Sequence, residues 1–359
     1  MTEPVIDQSA SLERTMARSR EIDVELVKNP AAFRVLTGDR PTGNLHIGHY
    51  FGSLTNRVRL QDMGVDSCVL VADYQVITDR DGVGPIKERV YSLMADYLAA
   101  GIDPSRTMIF IHSAIPALNQ LMLPFLSLVT DAELRRNPTV KAELEDSERP
   151  MSGLMLTYPV HQAADILFCK ANLVPVGKDQ IPHIEMCRVI ARRFDERYGR
   201  AGDQPVFPEA DALLSLPTLI LGTDATKMSK SKGNVIELGM TADETAKALK
   251  KAVTDSDRNI TYDPIARPEV ANLLVITGLC LDRDPASIAE EIGDGGAGTL
   301  KKVVTEALNE RLRIHRERRA ELVADPGYLE SIIHDGNARA NEIAETTLSE
   351  VRTAMKMSY

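Results

Sequence analysis

Four side chains have the types and spacing to handle a triphosphate: His46 and His49, three residues apart, and Lys227 and Lys230, also three apart. The first pair follows a short β-favouring run, Arg34-Val35-Leu36-Thr37, and a stretch dense in turn formers, Gly38-Asp39-Arg40-Pro41-Thr42-Gly43-Asn44. Residues 46–61 lack proline and carry Leu54, Val58 and Leu60 at helix-compatible spacing. Strand, glycine-rich turn and helix start together present unpaired N–H groups and a partial positive charge to an anion. The two imidazoles share one helix face and can donate to phosphate oxygens. Gly48 between them removes a side chain where a planar base would approach the backbone. Gly38, Asp39 and Arg40 stand in the turn expected to face that nucleotide.

The second pair belongs to Lys227-Met228-Ser229-Lys230-Ser231, which follows Thr223-Asp224-Ala225-Thr226 and is bracketed by Gly222 and Gly233 as candidate hinges. An ammonium is a mobile point charge suited to follow a departing pyrophosphate, and Ser229 and Ser231 add hydroxyl donors. Taken singly, a histidine pair at a helix start or a basic loop is ordinary surface. The two full strings in this order are far more specific than their composition.

A third constellation suits a different ligand. The run from Tyr158-Pro159 to Ile166-Leu167 reads as a helix entered after a proline, with Tyr158, Gln162 and Asp165 at spacings of four and three on one face. A phenol, an amide and a carboxylate among apolar neighbours fit a small zwitterion. Val174-Pro175-Val176-Gly177 then reads as a strand end turning into a further helix over 184–198. Asp179 in that turn can accept from ribose hydroxyls, and Gln180 can meet an α-amino group.

Runs over 67–72 and 107–111 read as buried strands, and 86–100 as an amphipathic helix ending at Gly101. Such alternation predicts a parallel sheet with helices on both faces and ligands at the carboxyl ends of its strands, where Asp73 also points. Beyond Val235 helix formers dominate. Gly293-Asp294-Gly295-Gly296-Ala297-Gly298 reads as a flexible turn before long helices over 299–324 and 328–355.

At 359 residues with 43% hydrophobic content, the chain can bury a large core in two domains. No apolar run approaches the roughly 20 residues that cross a bilayer. Residues 1–32 are polar and hold no signal-like apolar stretch, which points to a mobile extension or a helix packed on a partner subunit. Cys68, Cys169, Cys187 and Cys280 are scattered without C-x-x-C spacing, so reduced thiols in a cytosol are expected and no zinc or iron–sulfur site. A net charge of −10 argues against a general nucleic-acid binder but leaves room for a local basic stripe. The stretch 301–321, with Lys301, Lys302, Arg311, Arg313, Arg316, Arg318 and Arg319 among four glutamates, is read equally well as such a stripe or as a salt-bridged exposed helix.

From about Arg34 to its C-terminus the chain resembles the bacterial tryptophanyl-tRNA synthetases. The matching stretches include Pro41-Thr42-Gly43 through His46-Ile47-Gly48-His49, Ala72-Asp73 through Ile77-Thr78, and Tyr158-Pro159 through Ala163-Ala164-Asp165-Ile166-Leu167. Val174-Pro175-Val176-Gly177 with Asp179-Gln180, the lysine–serine loop, Ala252-Val253-Thr254-Asp255-Ser256 and Val351-Arg352 complete them. The resemblance implies an α/β fold of class I synthetase type. After an N-terminal extension over 1–32, a Rossmann-type parallel-sheet catalytic domain with a helical substrate-binding insertion would span 33–236. An all-helical anticodon-binding domain would span 237–359. It further implies a cytoplasmic homodimer without membrane association, working on ATP, L-tryptophan and tRNA(Trp), with Mg²⁺ carried by the ATP phosphates rather than by a protein metal site. Asp165 would accept the indole N–H, Gln180 and Tyr158 would hold the amino group, and His46, His49, Lys227 and Lys230 would handle the triphosphate.

Tyrosyl-tRNA synthetases share this scaffold and are the nearest alternative; a non-synthetase adenylyl-transferring paralogue is the other. Ala163-Ala164 and the Val176 turn look like the tryptophan branch, and Leu36 stands where tyrosine enzymes present a tyrosine to the substrate hydroxyl. Without that partner, rejecting phenylalanine would be hard. Leu36, Arg40, Gln162, Lys178 and His49 depart from the commonest tryptophan pattern (Phe, Gln, Met, Glu and Asn) and resemble an auxiliary, second-type enzyme. Such an enzyme is expected to show altered indole tolerance or resistance to a tryptophan-mimicking inhibitor. Inhibition equal to that of a housekeeping synthetase would remove that expectation.

Overall fold

The computed structural model describes residues 8–78, 82–141, 150–199, 205–214, 220–229 and 232–359. Lys230 and Ser231, both expected at the triphosphate, therefore lie outside the described residues. In chain order the first half comprises α1 (Gln8–Lys28), β1 (Arg34–Asp39), α2 (Ile47–His49), a π-helical turn (Tyr50–Leu54), α3 (Thr55–Met63), β2 (Asp66–Val71), α4 (Ile86–Ala100), β3 (Thr107–Ile111), α5 (Pro116–Leu126) and α6 (Asp131–Arg136). Then come α7 (Gly153–Phe168), β4 (Leu173–Val176), α8 (Ile181–Tyr198), β5 (Asp211–Leu214), α9 (Ala242–Lys250), α10 (Pro268–Leu281), α11 (Pro285–Ile292), α12 (Gly296–Ala324) and α13 (Pro326–Ala354).

The five strands form one sheet in the order β3-β2-β1-β4-β5, every pairing parallel. This is the expected α/β fold, and its strand order reverses between β1 and β4. A crevice opens there, outside the carboxyl ends of both strands. The histidine motif follows β1, and Asp179 follows β4.

Each sheet edge is covered by a helix from one end of the chain. On the β5 edge, Ser19 of α1 accepts from the Leu214 N–H at 3.0 Å, and Arg18 reaches Asp211 at 2.9 Å. Ile22 and Leu26 of α1 are fully buried with Phe33, Val35, Leu173 and Leu213. The N-terminal segment from Gln8 is thus a helix packed on its own sheet, which corrects the expectation of a mobile or partner-bound extension. On the β3 edge, Asn337 of α13 accepts from the Ile111 N–H at 2.8 Å. A Cβ on Gly336 would fall 1.7 Å from the Ile109 carbonyl oxygen, so only glycine lets this helix lie against the strand. Both edges would otherwise expose unpaired backbone groups.

Three other readings change. The helix bearing Tyr158 starts at Gly153, capped by Ser152, and Pro159 lies inside it. The helix after His46 is interrupted by the π turn, where one extra residue enters the coil. The glycine run forms a 3₁₀ turn over Gly293–Gly295 and the first residues of α12.

Candidate active site

His46 caps α2. Its Nδ1 accepts from the Gly48 N–H and the His49 Nδ1 accepts from the His46 N–H, both at 3.2 Å. An imidazole accepting at Nδ1 carries its proton on Nε2. The cap therefore fixes both rings in the tautomer that donates from its outer edge, as a phosphate requires. The ring centroids are 3.8 Å apart. Gly48 has a local reason beyond access for a base: a Cβ there would sit 2.9 Å from His46 Cε1 and 3.8 Å from Met228 Sδ of the lysine loop.

The two motifs thus meet in space. Main chain reinforces the contact, since Ile47 N–H donates to Ile236 O at 3.0 Å and Leu238 N–H to Leu45 O at 2.9 Å. The loop between is organised by Asn234, which is 2% exposed. Its Oδ1 accepts from the Ser229 N–H at 2.7 Å, and its Nδ2 donates to Asp224 Oδ1 at 2.7 Å, Thr226 Oγ1 at 3.2 Å and the Lys227 carbonyl at 3.1 Å. Hydrogen bonds from Asn234 and Thr226 hold the Asp224 carboxyl below its usual range. Lys227 itself is exposed. Asn234 escaped the sequence reading, which took Gly233 as a hinge and stopped there; its signal was the Gly233-Asn234 turn pair.

Gly38 and Asp39, expected in the turn, are instead the last residues of β1, paired with Leu70 and Val71, because the strand runs two residues further; Arg40 follows and is exposed. A Cβ on Gly38 would meet Leu70 O at 2.4 Å, so this glycine admits the neighbouring strand. The Asp39 carboxylate is engaged inward, by Arg57 Nη1 and the Tyr97 hydroxyl, each at 2.6 Å. At the end of β4, a Cβ on Gly177 would meet Asp179 Oδ1 at 2.7 Å. Asp179 accepts from Gln180 Nε2 at 2.8 Å, and Gln180 Oε1 from Gln162 Nε2 at 3.3 Å, linking the ribose and amino-acid candidates in one chain.

On α7, Tyr158, Gln162 and Asp165 each engage a different partner: His183, Gln180 and Gln75. Tyr158 is buried, its hydroxyl 3.2 Å from His183 Nε2. Burial pulls the His183 imidazole down to about 4, against a smaller opposing effect of Asp179. Leu36 and Val176 belong to the apolar core that also holds Ala163, Ala164 and Ile181. Asp165 is 1% exposed, and burial raises its carboxyl well above the usual range. Gln75 donates to its Oδ2 at 3.4 Å, while Oδ1 has no hydrogen-bond partner among the described residues. His112 and His161, which the sequence reading did not single out, pack beside it with ring centroids 4.2 Å apart. Burial, and secondarily the charge of His161, brings His112 down to about 3, and burial also lowers His161. The signal for His112 was its place at the carboxyl end of β3.

The stretch 301–321 is largely tied down. Arg313 pairs with Glu310 and Glu317, Arg319 binds the buried Asp96 at 2.7 Å, and Arg316 donates to Thr245 at 2.8 Å. Among the described residues, no helix is long and apolar enough to cross a membrane.

A sheet reversing at β1/β4, with a histidine cap and a lysine loop meeting at its mouth, defines a class. The family model for tRNA synthetases class I (W and Y) matches residues 28–313, and the chain belongs to that class. It is 40% identical over 338 residues to the tryptophan–tRNA ligase of Clostridium longisporum, covering 90% of this chain and 97% of that one. The Streptococcus pneumoniae (TIGR4) tryptophan–tRNA ligase is 42% identical over 339 residues, at 90% and 98% coverage. A solved tryptophanyl-tRNA synthetase from Campylobacter jejuni, complexed with ADP and tryptophan, matches with TM-score 0.77 and 29% identity over 90% of this chain and 99% of that one. Within the class, the chain is a member of the bacterial tryptophanyl-tRNA synthetases.

Proposed function

We propose that the chain activates L-tryptophan with ATP and transfers it to tRNA(Trp). The carboxylate of tryptophan attacks the α-phosphate in line and a P–O bond to pyrophosphate breaks; a terminal ribose hydroxyl, the 2′ one by analogy with class I enzymes, then attacks the adenylate's acyl carbon, loses its proton, and AMP leaves. No side chain acts as nucleophile; catalysis is positioning together with neutralisation of the departing charge. The observation that carries this reading is the meeting of Gly48 with Met228, which supports His46, His49, Lys227 and Lys230 acting on one triphosphate, with Ser229 and Ser231 as further hydroxyl donors. Gly48, Gly177 and Asp179 would receive the nucleoside, and Gly38 and Asp39 at the end of β1, with Arg40 after them, would shape the floor beneath it. Magnesium would enter on the ATP phosphates, since the motif side chains offer cationic and N–H donors rather than a set of hard oxygen ligands. The working unit would be a cytoplasmic homodimer.

In the pocket, Tyr158, Gln162 and Gln180 would hold the ammonium end, Leu36 and Val176 would wall the ring, and Asp165 Oδ1 would accept the indole N–H. ATP–pyrophosphate exchange with tryptophan, tyrosine and phenylalanine tests the whole reading: exchange with tryptophan alone is expected. Asp165→Asn is expected to lower discrimination for tryptophan by roughly 10- to 100-fold, chiefly through KM, as for loss of a charge-assisted hydrogen bond. Selectivity unchanged in that variant would remove Asp165 from the pocket.

A further inference from the structure

Three buried side chains from two elements carry polar atoms that no described residue satisfies. His161 and Asp165 stand one turn apart on α7, and His112 follows β3. They are 4%, 1% and 0% exposed respectively. One ligand atom from each lies within 4.8 Å of the other two. His112 Nε2 and Asp165 Oδ1 are 3.0 Å apart yet lack hydrogen-bond alignment, so neither satisfies the other. His112 Nδ1 and His161 Nε2 are likewise without a partner among the described residues. Buried polar atoms are seldom left so, because each costs on the order of 1–3 kcal/mol unpaired.

We propose that the protein, when free of amino acid, binds one divalent transition-metal ion of the zinc type through His112, His161 and Asp165 Oδ1. Two imidazole nitrogens and one carboxylate oxygen form a borderline donor set that suits Zn²⁺ or Co²⁺, whereas Mg²⁺ and Ca²⁺ favour all-oxygen sites. Three protein ligands leave a fourth position open. Gln75, donating to the other Asp165 oxygen, orients the carboxylate from outside as metal sites commonly require. The four scattered cysteines take no part, so the absence of C-x-x-C spacing does not bear on this site. Because the ligating oxygen is also the one assigned to the indole N–H, the ion and L-tryptophan exclude each other; this second statement rests on the proposed function, and the first does not.

Metal-stripped full-length protein titrated with Co²⁺ alone tests the site through the visible ligand-field absorption of the ion. Stoichiometric 1:1 uptake is expected, with displacement by Zn²⁺. His161→Leu and His112→Gln are each expected to lower Co²⁺ affinity by at least about 100-fold, and Gln75→Leu by about 10- to 100-fold. Circular dichroism identifies which variants fold, and two ligand variants are made so that one suffices. Absence of 1:1 uptake, or a folded ligand variant that takes up Co²⁺ like the parent, would overturn the site. Saturating tryptophan is expected to abolish the Co²⁺ band; a band persisting in protein shown calorimetrically to have bound tryptophan would overturn the exclusion alone. Failure of tryptophan-dependent exchange would remove the functional reading while leaving the Co²⁺ result intact.

Discussion

Asn234→Ala is expected to slow adenylate formation by about 100-fold or more while leaving equilibrium tryptophan binding close to that of the parent. The side chain ties both flanks of the lysine loop together, from the Ser229 N–H on one side to Asp224 and the Lys227 carbonyl on the other. Its removal takes the side-chain partner from the Ser229 N–H and the Lys227 carbonyl, both in part-buried bonds, and frees the loop to move by an ångström or more. Misplacement on that scale costs about a hundredfold where catalysis is positioning. Gly222 shows how tight the fit is, since a Cβ there would lie 2.5 Å from Asn234 Nδ2. Asn234→Asp has nearly the same shape but turns the donor facing Asp224 into a second acceptor. It is therefore expected to be at least as slow as the alanine variant, which separates hydrogen-bond polarity from volume. Measured by pyrophosphate exchange and by calorimetric tryptophan titration, an Asn234→Ala enzyme with the parent's exchange rate would show that the loop needs no internal anchor.

The same residue marks where sequence reading stops. The strands over 107–111 and the helix over 86–100 were legible to the residue, because an unbroken apolar run and a terminal Gly101 are local signals. The histidine motif, the lysine–serine string and the helix bearing Tyr158 stood out for the same reason, each being written in consecutive or helically spaced positions. What pairs them was not. His112 and His161 are single histidines in apolar stretches, and only the packing of α7 against the end of β3 makes them neighbours of Asp165. The N-terminal helix was hidden by its polarity. Among its side chains, Ile22 and Leu26 make the fully buried contact, while Ser19 satisfies a strand edge that no local pattern announces. The split of 301–321 between ion pairs on its own surface and Arg319 reaching Asp96 likewise depends on which face α4 covers.

Asp39, expected from the sequence at the nucleotide, has its carboxylate directed into the fold, and Arg57→Met is the variant that exposes this. Arg57 is 5% exposed at its side chain and grips the end of β1 by bonds to Asp39, to Thr37 Oγ1 at 3.1 Å and to the Gly38 carbonyl at 3.3 Å. Methionine keeps much of the stem's packing but leaves the Asp39 carboxylate with the Tyr97 hydroxyl as its remaining side-chain donor among the described residues. Removing one member of a buried pair typically costs about 3–5 kcal/mol, so a large fall in Tm is expected. The double variant Arg57→Met with Asp39→Asn should recover much of that loss, since no uncompensated charge remains. The pH dependence fixes the cause. Burial alone would raise the Asp39 carboxyl, but the charge and hydrogen bond of Arg57, with the bond from Tyr97, hold it below its usual value. A lowered folded pKa stabilises the parent above the unfolded pKa, and that stability is lost as pH falls through the folded value. Without Arg57 the burial effect prevails, the folded pKa rises, and the variant is penalised most at neutral pH. The stability gap between parent and Arg57→Met is therefore expected to narrow as pH falls from about 7 to about 4. A gap that stays constant across that range would mean that packing, and not the buried pair, holds the end of β1 beneath the histidine motif.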